Sequence, residues 1–101
     1  MAEDEVPPFV KNLTERSSDF GENLEDIYRK SRSDGALSAK VKTLMAMAMD
    51  AVRNDRKGVE VLADKARELG ATEDEITETV EEIATSCGIQ GLAAARAAYE
   101  E

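Results

Sequence analysis

Cys87 is the only thiol in 101 residues, and the chain contains no histidine. Those two facts remove most of the side-chain chemistry open to a small protein. Histidine is the commonest metal ligand and the usual proton shuttle near neutral pH. A single cysteine cannot close an intrachain disulfide, and a reducing compartment is its default setting. Cys87 stands beside Gly88 at an expected helix end and reads as a small, buried apolar residue. The alternative is a single-thiol peroxidatic or sensor group. Glu73, Asp74, Glu75, Glu78, Glu81 and Glu82 crowd one segment. Glu78 and Glu82 share a helix face at i, i+4, the beginning of a carboxylate metal site. Di-iron bundles, however, pair Glu with His, and acids in a first turn suit the helix dipole. A solvated acidic face is therefore expected, with at most weak attraction for Ca²⁺ or Mg²⁺. Met45, Met47 and Met49 alternate, so successive sulfurs point about 200° apart on a helix and cannot meet at one ion. They read as packing residues. Neither a metal nor a cofactor is expected.

These residues need helices to hold them. Leu37 to Val52 is the most apolar stretch, and its centre, Leu44 to Met49, combines strong helix formers with no Gly or Pro. Six such side chains point all round the axis, the pattern of a helix buried on every side. Ser38 is placed to cap it, although a start at Gly35 fits as well. Asn54 and Asp55 form a natural N-cap for a helix over 56–69, with Val59, Leu62, Ala63, Ala66 and Leu69 on one face. Gly70 stands at its C′ position. Thr72 to Glu75 matches the capping box, T-x-x-E, of a further helix whose buried stripe is Ile76, Val80, Ile83, Ala84 and Cys87. Gly88 and Gly91 interrupt that pattern, and 92–99 reads as a short Ala-rich terminal helix.

Toward the amino end, Phe9, Leu13, Phe20, Leu24, Ile27 and Tyr28 recur at helical spacing, with a break expected at Gly21. Residues 1–8 read as a flexible acidic arm and 9–101 as one all-helical domain. No segment alternates with period two, so the fold class is all-α.

A chain of 11.0 kDa buries only about 65% of its unfolded surface. A few short neighbours hardly surround a helix that is apolar all round. The simplest cover for the remaining side is another copy of the chain, so a homo-oligomer is expected. The net charge of −9 argues against nucleic acid, whose phosphates call for clustered Lys and Arg. It disfavours anionic membrane surfaces for the same reason. The apolar run is far below the roughly 20 residues of a membrane span. Nothing at the amino end resembles a signal peptide, since Glu3, Asp4 and Glu5 stand where positive charge would be expected. The expected location is cytoplasmic.

L-S-A-K-V-K-T-L-M, followed by a helix closing on A-R-E-L-G-A-T-E-D-E-I, resembles the carboxymuconolactone decarboxylase family, which includes the alkyl hydroperoxidase D-like proteins. The resemblance runs from Gly35 to about Leu92. It rests on Lys40 and Leu44 in the central helix and on Ala66, Gly70, Ala71, Thr72, Glu75 and Ile76 at the helix junction. It implies a small multihelical alkyl hydroperoxidase D-like fold that assembles as a homotrimer or homohexamer. Redox members of the family carry Cys-x-x-Cys-x-x-x-His before the Gly-Ala-Thr junction, with a Glu on the central helix. The positions implied here are Asp55, Gly58 and Leu62 for the motif and Thr43 for the Glu. None keeps the family's residue type. What the resemblance implies is thus the fold and the assembly, with a degenerate redox site and a binding or scaffold role. The alternative is a peroxidase, oxidoreductase or decarboxylase-type enzyme with a non-standard site, built on Cys87 or on Asp55 and Arg56. Arg53, Asp55 and Arg56, at an expected helix amino end, are candidates for holding a small anionic or acyl ligand.

Overall fold

The computed structural model describes residues 6–99. Among them the chain forms helices α1 (Pro8–Arg16), α2 (Ser18–Arg32), α3 (Ala39–Val52), α4 (Arg56–Glu68) and α5 (Glu73–Ala95), then a 3₁₀ turn (Arg96–Tyr99). They contain no strand, so the fold is all-α. Among the described residues, no helix is long and apolar enough to cross a membrane. The chain divides into two compact units, the first ending at Gly35 and the second beginning at Ala36. Of the arm expected over 1–8, residues 1–5 lie outside the described residues.

In the first unit, Pro8 opens α1 from the first helical position, where its missing N–H has no intrahelical role. The chain breaks at Ser17 (φ −145°, ψ 82°), not at Gly21 as expected. Gly21 lies buried inside α2, and a Cβ there would collide with the backbone and side chain of Thr14. Its smallness serves a close crossing of α1 and α2 and leaves the helix intact. Thr14 Oγ1 returns a bond to Val10 O (3.1 Å) and donates to Glu25 Oε2 (2.5 Å). That donated bond, followed by the Arg29 guanidinium, holds the Glu25 carboxyl below its ordinary value. The expected apolar stripe is largely uncovered: Phe9, Phe20 and Ile27 are exposed, whereas Val6 and Val10 are buried.

The second unit is built around α3, which packs on both α4 and α5. Ser38 caps α3, accepting from Val41 N at 3.1 Å. Asn54, in the left-handed region (φ 61°), turns the chain toward α4, a conformation Asn tolerates better than most residues. Asp55 then caps α4 through Gly58 N. Gly70 (φ 100°) ends the next turn, and both bonds of the Thr72–Glu75 capping box are present. The core gathers Met47 and Ala51 of α3, Val59 and Ala63 of α4, and Ile76, Val80 and Ile83 of α5. Cys87, read from the sequence as buried, is only partly so, and Leu62 is likewise partly buried against this core.

Helix α5 is not straight. Gly88 (φ 73°, ψ −158°) leaves the helical region, and the chain doubles back there. Tyr99 Oη consequently lies 3.0 Å from Thr77 Oγ1, near the start of the same helix. Arg56 and Arg67 of α4 hold the returning segment through Ala93 O (2.8 Å) and Ala98 O (2.9 Å). Ala94, Ala95, Ala97 and Ala98 are buried, small enough for this close return. Gly91, expected to interrupt the pattern, is a buried helical residue whose Cβ would crowd Cys87 Cβ at 2.6 Å.

Candidate functional site

Two places collect the residues with chemical potential: the junction of α3 with α4, and a groove between α3 and α5. At the junction, Asp55 Oδ1 accepts from Gly58 N at 3.0 Å, satisfying one amide of the open helix end. Gly58 carries no side chain because Asp50 is already there. A Cβ at 58 would strike the Asp50 carboxylate and stand 2.7 Å from Asp55 Oδ2. Arg53 reaches Asp50 at 2.8 Å, and Arg56 binds Ala93 O. Thus Arg53, Asp55 and Arg56 lie along one short stretch, and each makes its own contact within the fold. Thr43 is 2% exposed and turns its hydroxyl back to Ala39 O at 2.8 Å. Leu62 lies against the core.

The groove was not foreseen from the sequence. It has a volume of about 550 Å³ and is walled by the outward side of α3, including Val41, Met45 and Met49, and by α5 around Ile83 and Cys87. Two helical stripes, 41-45-49 and 75-79-83, were the signal that could have found it. The other copy expected to complete the burial of α3 is not part of a single chain, and here Met47 is fully enclosed while Met45 and Met49 are 42% and 58% exposed. Met45 and Met49 line the groove together, and Met47 faces the core. Within this chain the helix has one covered side and one bare apolar side.

Along the acidic helix, the carboxylates divide between tasks. Glu75 closes the capping box through Thr72 N (2.9 Å) and takes Lys40 Nζ at 2.9 Å across one end of the groove. The Thr72 amide first, and Lys40 second, hold its carboxyl below the ordinary 4.5. Glu73 is lowered by its bond to Arg67 (2.8 Å), which raises the guanidinium in return. Glu78 and Glu82 remain along the groove wall. Among the described residues, no three His, Cys, Asp or Glu side chains gather as a metal-holding group.

These lowered carboxyls set a pH dependence. The unfolded chain takes up a proton at the ordinary value, whereas the folded one resists until lower pH, so stability is full above 4.5 and declines as pH falls through the folded value. Thermal melts taken downward from neutral pH should show that acid-side loss. Glu75→Gln should weaken it, since the amide can still accept from Thr72 N but neither titrates nor pairs with Lys40. An unchanged acid limb in the variant would remove Glu75 from this role.

The fold is that of a small all-helical protein whose middle helix joins a capped helix start to an apolar groove. The profile of the carboxymuconolactone decarboxylase family matches residues 18–101, and the chain belongs to that family. The match extends the resemblance seen from Gly35 onward back through α2. No curated protein and no solved structure matches the chain.

Proposed function

We propose that this is a homo-oligomeric family member with a degenerate redox site, acting in binding or scaffolding in the cytoplasm. The observation that carries the reading is the bare side of α3. Val41, Met45, Met49 and Val52 follow one another at spacings of four, four and three, and are 37%, 42%, 58% and 58% exposed. Contiguous apolar surface of this kind marks an interaction site. Another copy of the chain is the simplest cover, and trimers or hexamers are what the family resemblance implies.

The loss of redox chemistry rests on residue types. One cysteine and no histidine cannot make a Cys-x-x-Cys-x-x-x-His site. At the corresponding positions, Asp55 is a helix cap, Gly58 makes room for Asp50, and Thr43 bonds its own helix. A small anionic or acyl ligand at Arg53, Asp55 and Arg56 is a lesser part of the reading. Asp50 and Asp55 already put negative charge where an anion would be drawn by the helix end.

Native mass measurement should give three or six times the 11.0 kDa chain. Met49→Glu, at an exposed position, should leave the helices folded and shift the mass toward one chain. A stable wild-type monomer would overturn the proposal. So would dithiol-dependent turnover of an organic hydroperoxide by the wild-type protein.

A further inference from the structure

We propose that the groove between α3 and α5 of one copy receives helix α2 of a second copy. This rests on the oligomeric reading above and names the segment that makes the contact. The groove runs from Lys40 to Val52 along α3, about 18 Å at 1.5 Å per residue. Its walls are apolar and its edge carries Glu78 and Glu82, while Glu75 is tied to Lys40. It calls for a short helix with apolar anchors on one side and positive charge nearby, the helix-in-groove mode of recognition.

Helix α2 has both features. Phe20, Leu24, Ile27 and Tyr28 follow at spacings of four, three and one, spanning about 12 Å of helix. Phe20 and Ile27 are 62% and 60% exposed. Helix α1 meets α2 through Gly21 and the Thr14–Glu25 bond; Leu24 and Tyr28 are half-buried, and Phe20 and Ile27 stay exposed at the outer edge of the stripe. The last turn of α2 carries Arg29, Lys30 and Arg32. In a chain of net charge −9, an acidic groove edge repels most of the surface a second copy can offer. The carboxyl end of α2 is a place where basic residues cluster, so charge as well as shape favours it.

Cys87 lines the groove and supplies a native reporter. Phe20→Cys, Leu24→Cys and Ile27→Cys each add one thiol to the stripe. Glu22→Cys adds one to an exposed position about 200° around the helix from Phe20. Disulfides need Cα atoms within roughly 7 Å, so only a docked stripe can reach Cys87 readily. Under mild oxidation, at least one stripe variant should form chain-to-chain disulfides about tenfold or more faster than Glu22→Cys, as expected from raised effective concentration. Adding Cys87→Ser should abolish the bands. Circular dichroism checks that the variants stay folded, and native mass is read on the same samples. An oligomer in which no stripe variant exceeds Glu22→Cys would overturn this inference and leave the oligomeric reading standing. A disulfide closing within one chain would overturn it in the same way. A monomeric mass would overturn both.

Discussion

Met47→Glu should leave the second unit without a cooperative melting transition. Met47 is fully enclosed in the core formed by α3, α4 and α5. A carboxylate at that point has no partner, and an unpaired buried charge costs several kcal/mol even after the surroundings relax. Small domains hold only about 5–15 kcal/mol of stability in total. Met45→Glu and Met49→Glu provide the comparison on the same helix, because both positions reach solvent. Those two variants should still melt cooperatively. Far-ultraviolet circular dichroism during heating decides the matter. A sharp transition in Met47→Glu within a few degrees of wild type would place Met47 on the bare side of α3.

The second large effect is expected at the reversal of α5. Gly88→Ala should destabilise the protein by about 1–3 kcal/mol, the range for a residue forced into a backbone region open essentially to glycine alone. Nothing lies within 4 Å of the added Cβ, so the loss is conformational and involves no collision. In a domain this small, each kcal/mol lowers the melting temperature by about 4–8 °C. A D-alanine introduced at the same position by chemical ligation should restore the wild-type melt, because its mirror-image preference suits φ 73° and ψ −158°. Equal melting of the wild type and the L-alanine variant would mean that the chain does not turn at Gly88.

The contrast between Gly88 and Gly91 shows where sequence reading stops. Both interrupt an apolar helical pattern, but only Gly88 has positive φ, while Gly91 continues the helix beneath Cys87. Nothing local separates them; the difference comes from the terminal segment returning onto α4. The caps were legible for the opposite reason. Ser38, Asp55 and the Thr72–Glu75 box bond amides only three residues away, so their grammar is complete within a few positions. Gly21 was misread as a break because its role is set by Thr14, across a helix crossing. For the candidate site, the sequence brought Arg53, Asp55 and Arg56 together along the chain. It could not show Asp50 pressing on Gly58, nor which side of α3 its neighbours would cover.

The close approach of Asp50 to Gly58 limits what the start of α4 can be made to hold. Under the proposed correspondence, position 58 stands where redox members of the family carry half of a thiol pair. Any side chain placed there meets a carboxylate from the preceding helix. Asp55→Cys, Gly58→Cys and Leu62→His would therefore not rebuild a working centre by themselves; Asp50 would have to give way first. Asp50 in turn is held by Arg53. Positions 50, 53 and 58 are thus coupled: a side chain at 58 is admissible only after Asp50 moves, and moving Asp50 gives up its pairing with Arg53.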